Sequence, residues 1–238
     1  MSNATQQNKV ALIVGAGRGL GRVTALELGR RGYAVVAASR TPAEIERTAS
    51  EIAAVGGRAL AVPCDATQEA QVAALVDATL KAYGRIDVLV NCAGEALLKP
   101  TAENTLADFE RIITSNLTSV FLTCRAVLEP ITRQPGGHII NVSSRVAKDG
   151  AATVAAYTAA KAGVVGFSKA LAQELKPLGV KVTAICPSPM NTPMRWAATP
   201  NWDRSKVIEP ERVAELIAWL VSDPAVTLDE VYPFSVRA

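Results

Sequence analysis

Short apolar segments alternate along the chain with longer segments whose apolar residues recur every three or four positions. The short segments carry apolar residues at consecutive positions, which is typical of strands buried on both faces of a sheet. They predict strands at 9–14, 33–39, 59–63, 86–91, 138–142, 180–186 and, as a final edge strand, 230–236. The longer segments predict helices at 19–31, 42–55, 68–83, 106–128, 152–175 and 210–221.

This alternation predicts an α/β protein with a doubly wound Rossmann fold, a mostly parallel sheet with helices on both faces. The chain contains no internal repeat and no linker, so we expect residues 9–238 to form a single domain after a flexible N-terminal tail at 1–8. The proline-rich segment at about 188–209 is predicted to be a loop over the substrate pocket. Right-handed crossovers bring the carboxyl ends of parallel strands to one edge, where ligands bind.

The composition excludes several other classes of protein. Over 238 residues, 49% are hydrophobic and 20% are charged, which is ordinary for a compact chain with one large core. The net charge of +3 is spread along the chain, so no nucleic-acid partner is expected. A single histidine and four widely spaced cysteines predict no metal site. The polar N-terminus and the absence of an 18-residue apolar run predict no signal peptide, no membrane contact and a cytoplasmic location.

A glycine-rich segment follows the first predicted strand, with Gly15, Gly19 and Gly21 spaced as G-x-x-x-G-x-G. Glycines allow a close backbone approach, and the next helix presents free N–H groups to an anion such as a pyrophosphate. The spacing fits neither G-x-G-x-x-G nor a P-loop, and the alternative is a turn that serves packing alone.

The end of the second predicted strand, Ser39-Arg40, lacks the acid that would bind the ribose of NAD. Arg40, together with Arg18 in the glycine segment, offers charged hydrogen bonds to a 2′-phosphate, which favours NADP(H) over NAD(H). The alternative is that both arginines are solvated surface residues.

Tyr157 and Lys161 are four residues apart in a predicted helix and therefore project from the same face. An ammonium near a phenol stabilises the phenolate and lowers the pKa of the tyrosine. Ser144, just after the fifth predicted strand, places a hydroxyl at the ligand edge of the sheet. A lone Tyr-x-x-x-Lys pair is usually a solvated surface pair. Ser144 at the ligand edge is what favours a catalytic role for Tyr157 and Lys161.

Taken in order along residues 9–222, these motifs resemble the short-chain dehydrogenase/reductase family in its compact single-domain form. Further matches are Asp65 after the third strand, Asn91-Cys92-Ala93-Gly94 after the fourth, Asn116 in the long helix, and Pro187 to Thr192 after the sixth. The sequence departs from the family pattern at Val14, Cys92, Ser188 and the C-terminus, which lacks the glycine-rich ending of the 3-oxoacyl reductase branch. That last departure argues against a carrier-bound acyl substrate.

The resemblance implies a catalytic set of Asn116, Ser144, Tyr157 and Lys161. Tyr157 is the expected general acid or base, Ser144 the hydroxyl that binds the substrate oxygen, and Asn116 the holder of a relay water through its backbone. Lys161 is expected to bind the nicotinamide ribose and to lower the pKa of Tyr157. Implied cofactor contacts are Gly15, Gly17, Arg18, Gly19, Leu20, Gly21, Ser39, Arg40, Asp65, Ala66, Asn91, Ala93, Gly94, Tyr157, Lys161, Pro187, Met190 and Thr192.

The expected function is therefore hydride transfer between NADP(H) and a small carbonyl compound or secondary alcohol, in a homodimer or homotetramer. A pocket wall of Glu95, Leu97, Leu98, Val146 and Met190 suggests a neutral substrate, with Met194, Trp196 and Trp202 on the loop as a lid or as packing anchors. The alternatives are a catalytically idle NADP(H)-binding sensor or scaffold protein and a methyltransferase with a similar sheet.

Overall fold

In the computed structural model, the described residues are 8–223, 226, 228, 230 and 231. They form a sheet of seven strands in the order β3-β2-β1-β4-β5-β6-β7, and every neighbouring pair is parallel. The strands are β1 Val10–Val14, β2 Ala34–Ser39, β3 Arg58–Pro63, β4 Val88–Asn91, β5 His138–Val142, β6 Lys181–Ile185 and β7 Glu230–Val231. The predicted doubly wound α/β fold is confirmed.

Helices cover both faces of this sheet. They are α1 Gly19–Arg30, α2 Pro42–Ala54, α3 Glu69–Tyr83, α4 Leu106–Ile113, α5 Ser119–Thr132, α6 Val146–Asp149, α7 Ala155–Leu175, α8 Pro193–Ala198 and α9 Pro210–Ser222. Short 3₁₀ turns occupy Thr101–Glu103, Lys176–Leu178 and Arg204–Lys206. None of the helices in the described ranges has the length and apolar character needed to cross a membrane.

The two hydrophobic cores follow from the alternation of side chains along each strand. In β1, Val10, Leu12 and Val14 point into the core beneath α3, α5 and α7, whereas Ala11 and Ile13 point into the core beneath α1, α2 and α9. Both faces of the central strands are thus buried, which explains their uninterrupted apolar sequences.

Three predicted elements differ from the structure by more than two residues. The helix predicted at 106–128 is two helices, α4 and α5, separated by a π-helical turn at Thr114–Thr118. The helix predicted from 152 begins at Ala155, after Thr153 adopts a φ of +66°. The loop predicted at about 188–209 contains α8 and a 3₁₀ turn.

Predictions for the chain ends are only partly within the described residues. Of the edge strand predicted at 230–236, Glu230 and Val231 pair with β6, and 232–236 lie outside the described residues. The predicted tail is likewise outside them except for Asn8, which lies in a turn.

The ligand edge is built where β1 and β4 lie side by side and their following segments turn to opposite faces of the sheet. Gly15, at a φ of +88°, packs so tightly against the exit of β4 that a Cβ there would lie 2.6 Å from the backbone nitrogen of Ala93. A Cβ on Gly21 would lie 2.1 Å from the carbonyl oxygen of Gly15. These two glycines therefore hold the start of α1 against the strand ends.

Candidate active site

A cavity of about 260 Å³ opens at this edge of the sheet. It brings together most of the predicted site residues: Gly15, Gly17, Arg18, Gly19, Leu20, Gly21, Ser39, Arg40, Asp65, Ala66, Ala93, Gly94, Asn116, Tyr157, Lys161, Met190 and Thr192. Three predicted residues, Asn91, Ser144 and Pro187, are not part of its lining.

Asn91 is buried beneath the cavity, where its side chain belongs to a row of polar groups. Its amide nitrogen donates to Asn141 Oδ1 at 2.9 Å, and its oxygen accepts from the Thr123 hydroxyl at 2.8 Å. Asn141 in turn donates to Ser168 Oγ at 2.9 Å. Asn91 therefore ties β4 to β5 and α5, and its side chain supports the cavity from below. Pro187 is also buried, and its carbonyl accepts from the backbone N–H of Arg145 at 3.0 Å.

The glycine segment forms one wall of the cavity and fits a dinucleotide. The first turn of α1, Gly19 to Arg22, contains no acid, so its free N–H groups and positive dipole end face the cavity unopposed. A Cβ on Gly19 would lie 3.5 Å from the Thr192 side chain, so the segments following β1 and β6 converge here. A narrow cradle lined by backbone and one helix terminus suits a pyrophosphate group.

Charged groups gather at the other end of this wall. Arg18 and Arg40 are both exposed and both line the cavity, as does Asp65, on which the charge of Arg40 acts. Burial alone would raise the pKa of Asp65, but hydrogen bonds from the Thr67 N–H and hydroxyl, with the charge of Arg40, bring it below its usual value. Asp65 is therefore ionised at neutral pH and held by its own turn.

Tyr157 lies on the opposite wall, on the first turn of α7. Burial raises the pKa of its phenol, while a hydrogen bond with the Ser144 side chain and the charge of Arg195 act to lower it. The Ser144 oxygen also accepts a hydrogen bond from the Val146 N–H at 3.4 Å. The serine hydroxyl thus lies beside the phenol, which a carbonyl oxygen between them would require.

Lys161 lies one turn further along α7 and is only 4% exposed. Its ammonium donates to the Val142 carbonyl at 2.9 Å and lies 5.6 Å from the centre of the Tyr157 ring. Burial lowers the pKa of Lys161 to about 8, against the opposing influence of Cys92 and Cys186. The lysine is thus anchored to the end of β5, and it contacts the face of the phenol ring.

Asn116 is fully buried within the π-helical turn. Its amide nitrogen donates to the Glu95 carbonyl at 2.9 Å, and its Oδ1 accepts from the Glu95 N–H at 3.3 Å. The side chain therefore fixes the segment after β4, and Gly94 lies so near that a Cβ there would be 2.5 Å from Asn116 Oδ1. With the side chain so engaged, only the backbone of Asn116 remains for a relay.

The loop over the cavity is held together by two stacked pairs. The Arg195 guanidinium lies 5.1 Å from the Trp202 ring centre, and that of Arg204 lies 4.3 Å from Trp196. Trp196 also donates from Nε1 to Asn191 Oδ1 at 2.8 Å. Both tryptophans are thus anchored within the loop itself.

The pocket wall is more charged than the sequence indicated. Glu95 lines the cavity and is ion-paired with Arg111 of α4, and Arg195 acts electrostatically on Tyr157. Glu95 and Met190 are the members of the predicted wall that line the cavity, whereas Leu97, Leu98 and Val146 are outside its lining.

Two functional candidates were not identified from the sequence, Glu44 and Arg195. Glu44 lines the cavity from the first turn of α2, and Arg195 reaches toward Tyr157 from α8. No motif marks either residue, because each is brought to the site by the packing of a helix whose orientation the local sequence does not reveal.

The parallel sheet, the glycine cradle at the divergence of β1 and β4, and the Tyr157–Ser144 pair opposite it define a dinucleotide-binding α/β protein. Residues 9–202 match the family model described as short chain dehydrogenase. The chain belongs to this family, and it is an oxidoreductase of the kind that acts on CH–OH or C=O groups.

Relatives within the family are similar over nearly the whole chain. A 3-oxoacyl-[acyl-carrier-protein] reductase of Synechocystis sp. is 39% identical over 229 residues, covering 91% of this chain and 90% of its own. The (2S)-[(R)-hydroxy(phenyl)methyl]succinyl-CoA dehydrogenase subunit BbsD of Thauera aromatica is 36% identical, with coverage of 91% and 90%. A crystal structure of a variant actinorhodin polyketide ketoreductase with NADPH superposes with a TM-score of 0.90 at 32% identity, covering 97% of both chains.

Proposed function

We propose that this protein is an NADP(H)-dependent oxidoreductase that interconverts a carbonyl compound and a secondary alcohol. The observation that carries the proposal is that a half-buried phenol, which Ser144 influences and over which the Lys161 ammonium lies, lines the same cavity as the glycine cradle. One wall suits the cofactor and the other suits the oxygen of the substrate.

Each of the chain's own groups has a defined task in reduction. The Ser144 hydroxyl and the Tyr157 phenol bind the carbonyl oxygen, and Tyr157 donates the proton that this oxygen acquires. In oxidation the phenolate of Tyr157 removes that proton. Lys161, held by the Val142 carbonyl, supplies a fixed positive charge beside the ring. Bound NADP(H) supplies or accepts the hydride at its nicotinamide ring.

The relay continues from Tyr157 toward solvent through Lys161 and the backbone of Asn116. The π-helical turn interrupts the regular i to i−4 hydrogen bonding of the helix where Asn116 lies, which frees carbonyl groups for other partners. A water held there would restore the proton of Tyr157 after each reduction.

Two arginines support NADP(H) as the cofactor. Arg18 and Arg40 flank the cavity end where the adenosine ribose would lie, and β2 ends in Ser39 without an acid. Guanidinium groups bind a phosphate in a bidentate manner, so the extra 2′-phosphate of NADP(H) would gain charged hydrogen bonds here. Gly17, Leu20, Ala66 and Ala93, which line the same cavity, are among the other proposed cofactor contacts.

A neutral ketone or its alcohol remains the proposed substrate class, and a homodimer or homotetramer the proposed assembly. The names of the relatives include reductases of carrier-bound acyl groups, so thioesters belong in any substrate panel. Exposed aromatic rings on the outer face support self-association: Phe121 of α5 is 41% exposed and packs edge to face with Phe167 of α7 at 6.2 Å.

The test is NADPH oxidation in the presence of ketones, aldehydes and 3-oxoacyl thioesters, with wild type compared with Tyr157→Phe. Loss of the phenolic proton donor is expected to lower kcat by about 10²- to 10⁴-fold. The dissociation constant for NADPH, measured by fluorescence, should change less than about twofold because the ring remains in place.

Tyr83→Phe is the matched control, since Tyr83 lies at the end of α3 outside the cavity, and it should retain full activity. Turnover that survives Tyr157→Phe would contradict the proposed role of the phenol. Tight NADPH binding without turnover of any carbonyl compound would instead support the idle sensor or scaffold.

A further inference from the structure

Besides Asp65, a second acid lines the cavity that Arg18 and Arg40 also line, and it is Glu44. Its Oε2 is 2.6 Å from the position that a Cβ on Gly17 would take, and the Ser39 hydroxyl is 3.0 Å from the same point. The acid therefore rests on the glycine segment itself, at the floor of the proposed cofactor site.

The packing of α2 sets this position. The buried Thr48, one turn along the helix, donates from one hydroxyl to the Glu44 carbonyl at 3.0 Å and to the Ala16 carbonyl at 3.1 Å. This bridge joins α2 to the glycine segment at a fixed distance. The Glu44 side chain is thus directed across Gly17 by the helix that carries it.

The charged groups near Glu44 leave its carboxylate free to bind a ligand. Arg18 and Arg40 line the same cavity, yet within the described part of the chain no cation lies within salt-bridge distance of the Glu44 carboxylate. A carboxylate accepts hydrogen bonds from hydroxyl groups and repels phosphates. The two arginines have the opposite preference.

We propose that Glu44 is a specificity-determining residue, which accepts a hydrogen bond from an adenosine ribose hydroxyl and opposes a 2′-phosphate. The site then binds both NADPH and NADH, with a preference for NADPH that Arg18 and Arg40 create and that Glu44 limits. This inference rests on the proposed function, since it assumes that the glycine wall holds the adenosine half of a nicotinamide dinucleotide.

A purely structural role for Glu44 makes a different prediction. An acid in the first turn of a helix also stabilises that helix through its dipole, and its loss would weaken both cofactors equally, or neither. The ratio of the two dissociation constants therefore separates the two roles, whereas thermal stability alone would not.

The experiment measures dissociation constants of NADPH and NADH by cofactor fluorescence, with wild type compared with Glu44→Gln and Glu46→Gln. Glutamine keeps the size of the side chain and removes its charge. We expect Glu44→Gln to bind NADPH about three- to tenfold more tightly, because one like charge is removed near the phosphate. We expect its binding of NADH to weaken by about two- to fivefold, since a charged acceptor is replaced by a neutral one.

Glu46→Gln is the matched control, an exposed acid on the same helix outside the cavity, and it should leave the ratio of the two constants within twofold of wild type. The gain in NADPH affinity should also shrink between 50 and 500 mM salt, because the repulsion is screened. A Glu44→Gln ratio that matches the control would overturn the inference.

Arg40→Asp, measured in parallel, separates failure of this inference from failure of the proposed function. That substitution should shift the preference toward NADH by roughly tenfold or more. If wild type prefers NADH and Arg40→Asp changes nothing, the assignment of the 2′-phosphate to this end is wrong, and the inference about Glu44 falls with it.

Discussion

At the scale of single residues, the charge that acts most directly on the phenol comes from the loop over the cavity. Arg195 lowers the pKa of Tyr157, and Tyr157 in turn raises that of Arg195, although burial lowers the guanidinium pKa overall. The Arg195 side chain is held by the Thr199 hydroxyl at 3.2 Å and by the Trp202 ring. Its position therefore depends on how the loop is closed.

Removing this charge should change the pH dependence of oxidation. The phenolate of Tyr157 is the required base, so the rate rises with pH through the pKa of that phenol. Arg195 favours the phenolate, and Arg195→Met should therefore move the rising limb of kcat/KM to higher pH. The measurement is a pH profile of alcohol oxidation.

Arg204→Met provides the comparison, since Arg204 stacks on Trp196 in the same loop and is not among the groups that act on Tyr157. Both variants should loosen the loop, yet only Arg195→Met should shift the profile. An equal shift in both variants, or none in either, would contradict the electrostatic explanation.

Which site residues could be predicted depends on how local their signal is. Tyr157 and Lys161 are related by helical spacing, and Ser144 follows a buried strand, so sequence alone placed them on one edge. Arg195 and Glu44 depend on the orientation of α8 and α2, which is determined by packing. Lys161 was expected to lower the pKa of Tyr157. In the structure its ammonium lies over the Tyr157 ring and donates a hydrogen bond to the Val142 carbonyl.

At the scale of elements, a row of buried amides and hydroxyls joins strands to helices beneath the site. Asn91 of β4 contacts both Asn141 of β5 and Thr123 of α5, and Asn141 reaches Ser168 of α7. The departure from the family pattern at Cys92 leaves this row intact, because Asn91 makes the contacts. The row fixes the spacing between the β4 and β5 exits that carry Gly94 and Ser144.

Asn91→Leu tests this row, because it removes the amide donor to Asn141 Oδ1 and one acceptor of the Thr123 hydroxyl. The Thr123 hydroxyl keeps the Ser119 carbonyl as a partner, and Asn141 keeps Ser168. Each buried hydrogen bond of this kind contributes about 0.5–1.5 kcal/mol, so we expect the free energy of unfolding to fall by roughly 1–3 kcal/mol. Urea denaturation measures it. The exposed Asn201→Leu should change the same quantity by less than about 0.5 kcal/mol, and an equal effect of the two would disprove the role of the row.

Strand positions were predictable because apolar continuity marks a buried strand, and each predicted strand within the described residues overlaps the observed one. The order of the strands in the sheet could not be predicted, because no single segment of the sequence specifies which strands become neighbours. The π-helical turn could not be predicted because TSNLT contains no glycine or proline that would interrupt a helix. The turn lies between α4, which packs against α7, and α5, which packs against β4 and β5. Helix starts such as that of α7 depend on turns like the one at Thr153.

At the scale of the whole molecule, the single histidine couples folding to pH. His138 opens β5 and is buried, with Nε2 at 2.9 Å from the Thr183 hydroxyl. Burial, then the charge of Lys181, lower the pKa of His138 from 6.5 to about 3, against the effect of a hydrogen bond to the backbone carbonyl of Leu220. The folded protein therefore keeps this ring neutral.

The sign of the effect on stability follows from this difference in pKa. Above pH 6.5 the ring is neutral in both states, and between 6.5 and about 3 only the unfolded chain takes up the proton, so stability is lost as the pH falls. This single group contributes a slope of at most about 1.4 kcal/mol per pH unit. His138→Gln should remove that part of the slope when unfolding is measured from pH 7 to 4.

The slopes of stability against pH can be compared even if His138→Gln is less stable overall. Protonation of Asp65 and Asp108 also destabilises the fold in acid, but it does so equally in both proteins. Parallel curves for wild type and variant would show that the histidine is protonated in the folded state.

The π-helical turn at Thr114–Thr118 makes the position of Asn116 depend on the number of residues between α4 and α5 as well as on their identity. Each residue of a helix advances the chain by about 100° of rotation. Deleting one residue between α4 and α5 would straighten the turn into regular helix and swing Asn116 away from Gly94, even though every neighbouring side chain kept its identity. In this turn, the number of residues therefore determines the shape of the site as much as their side chains do.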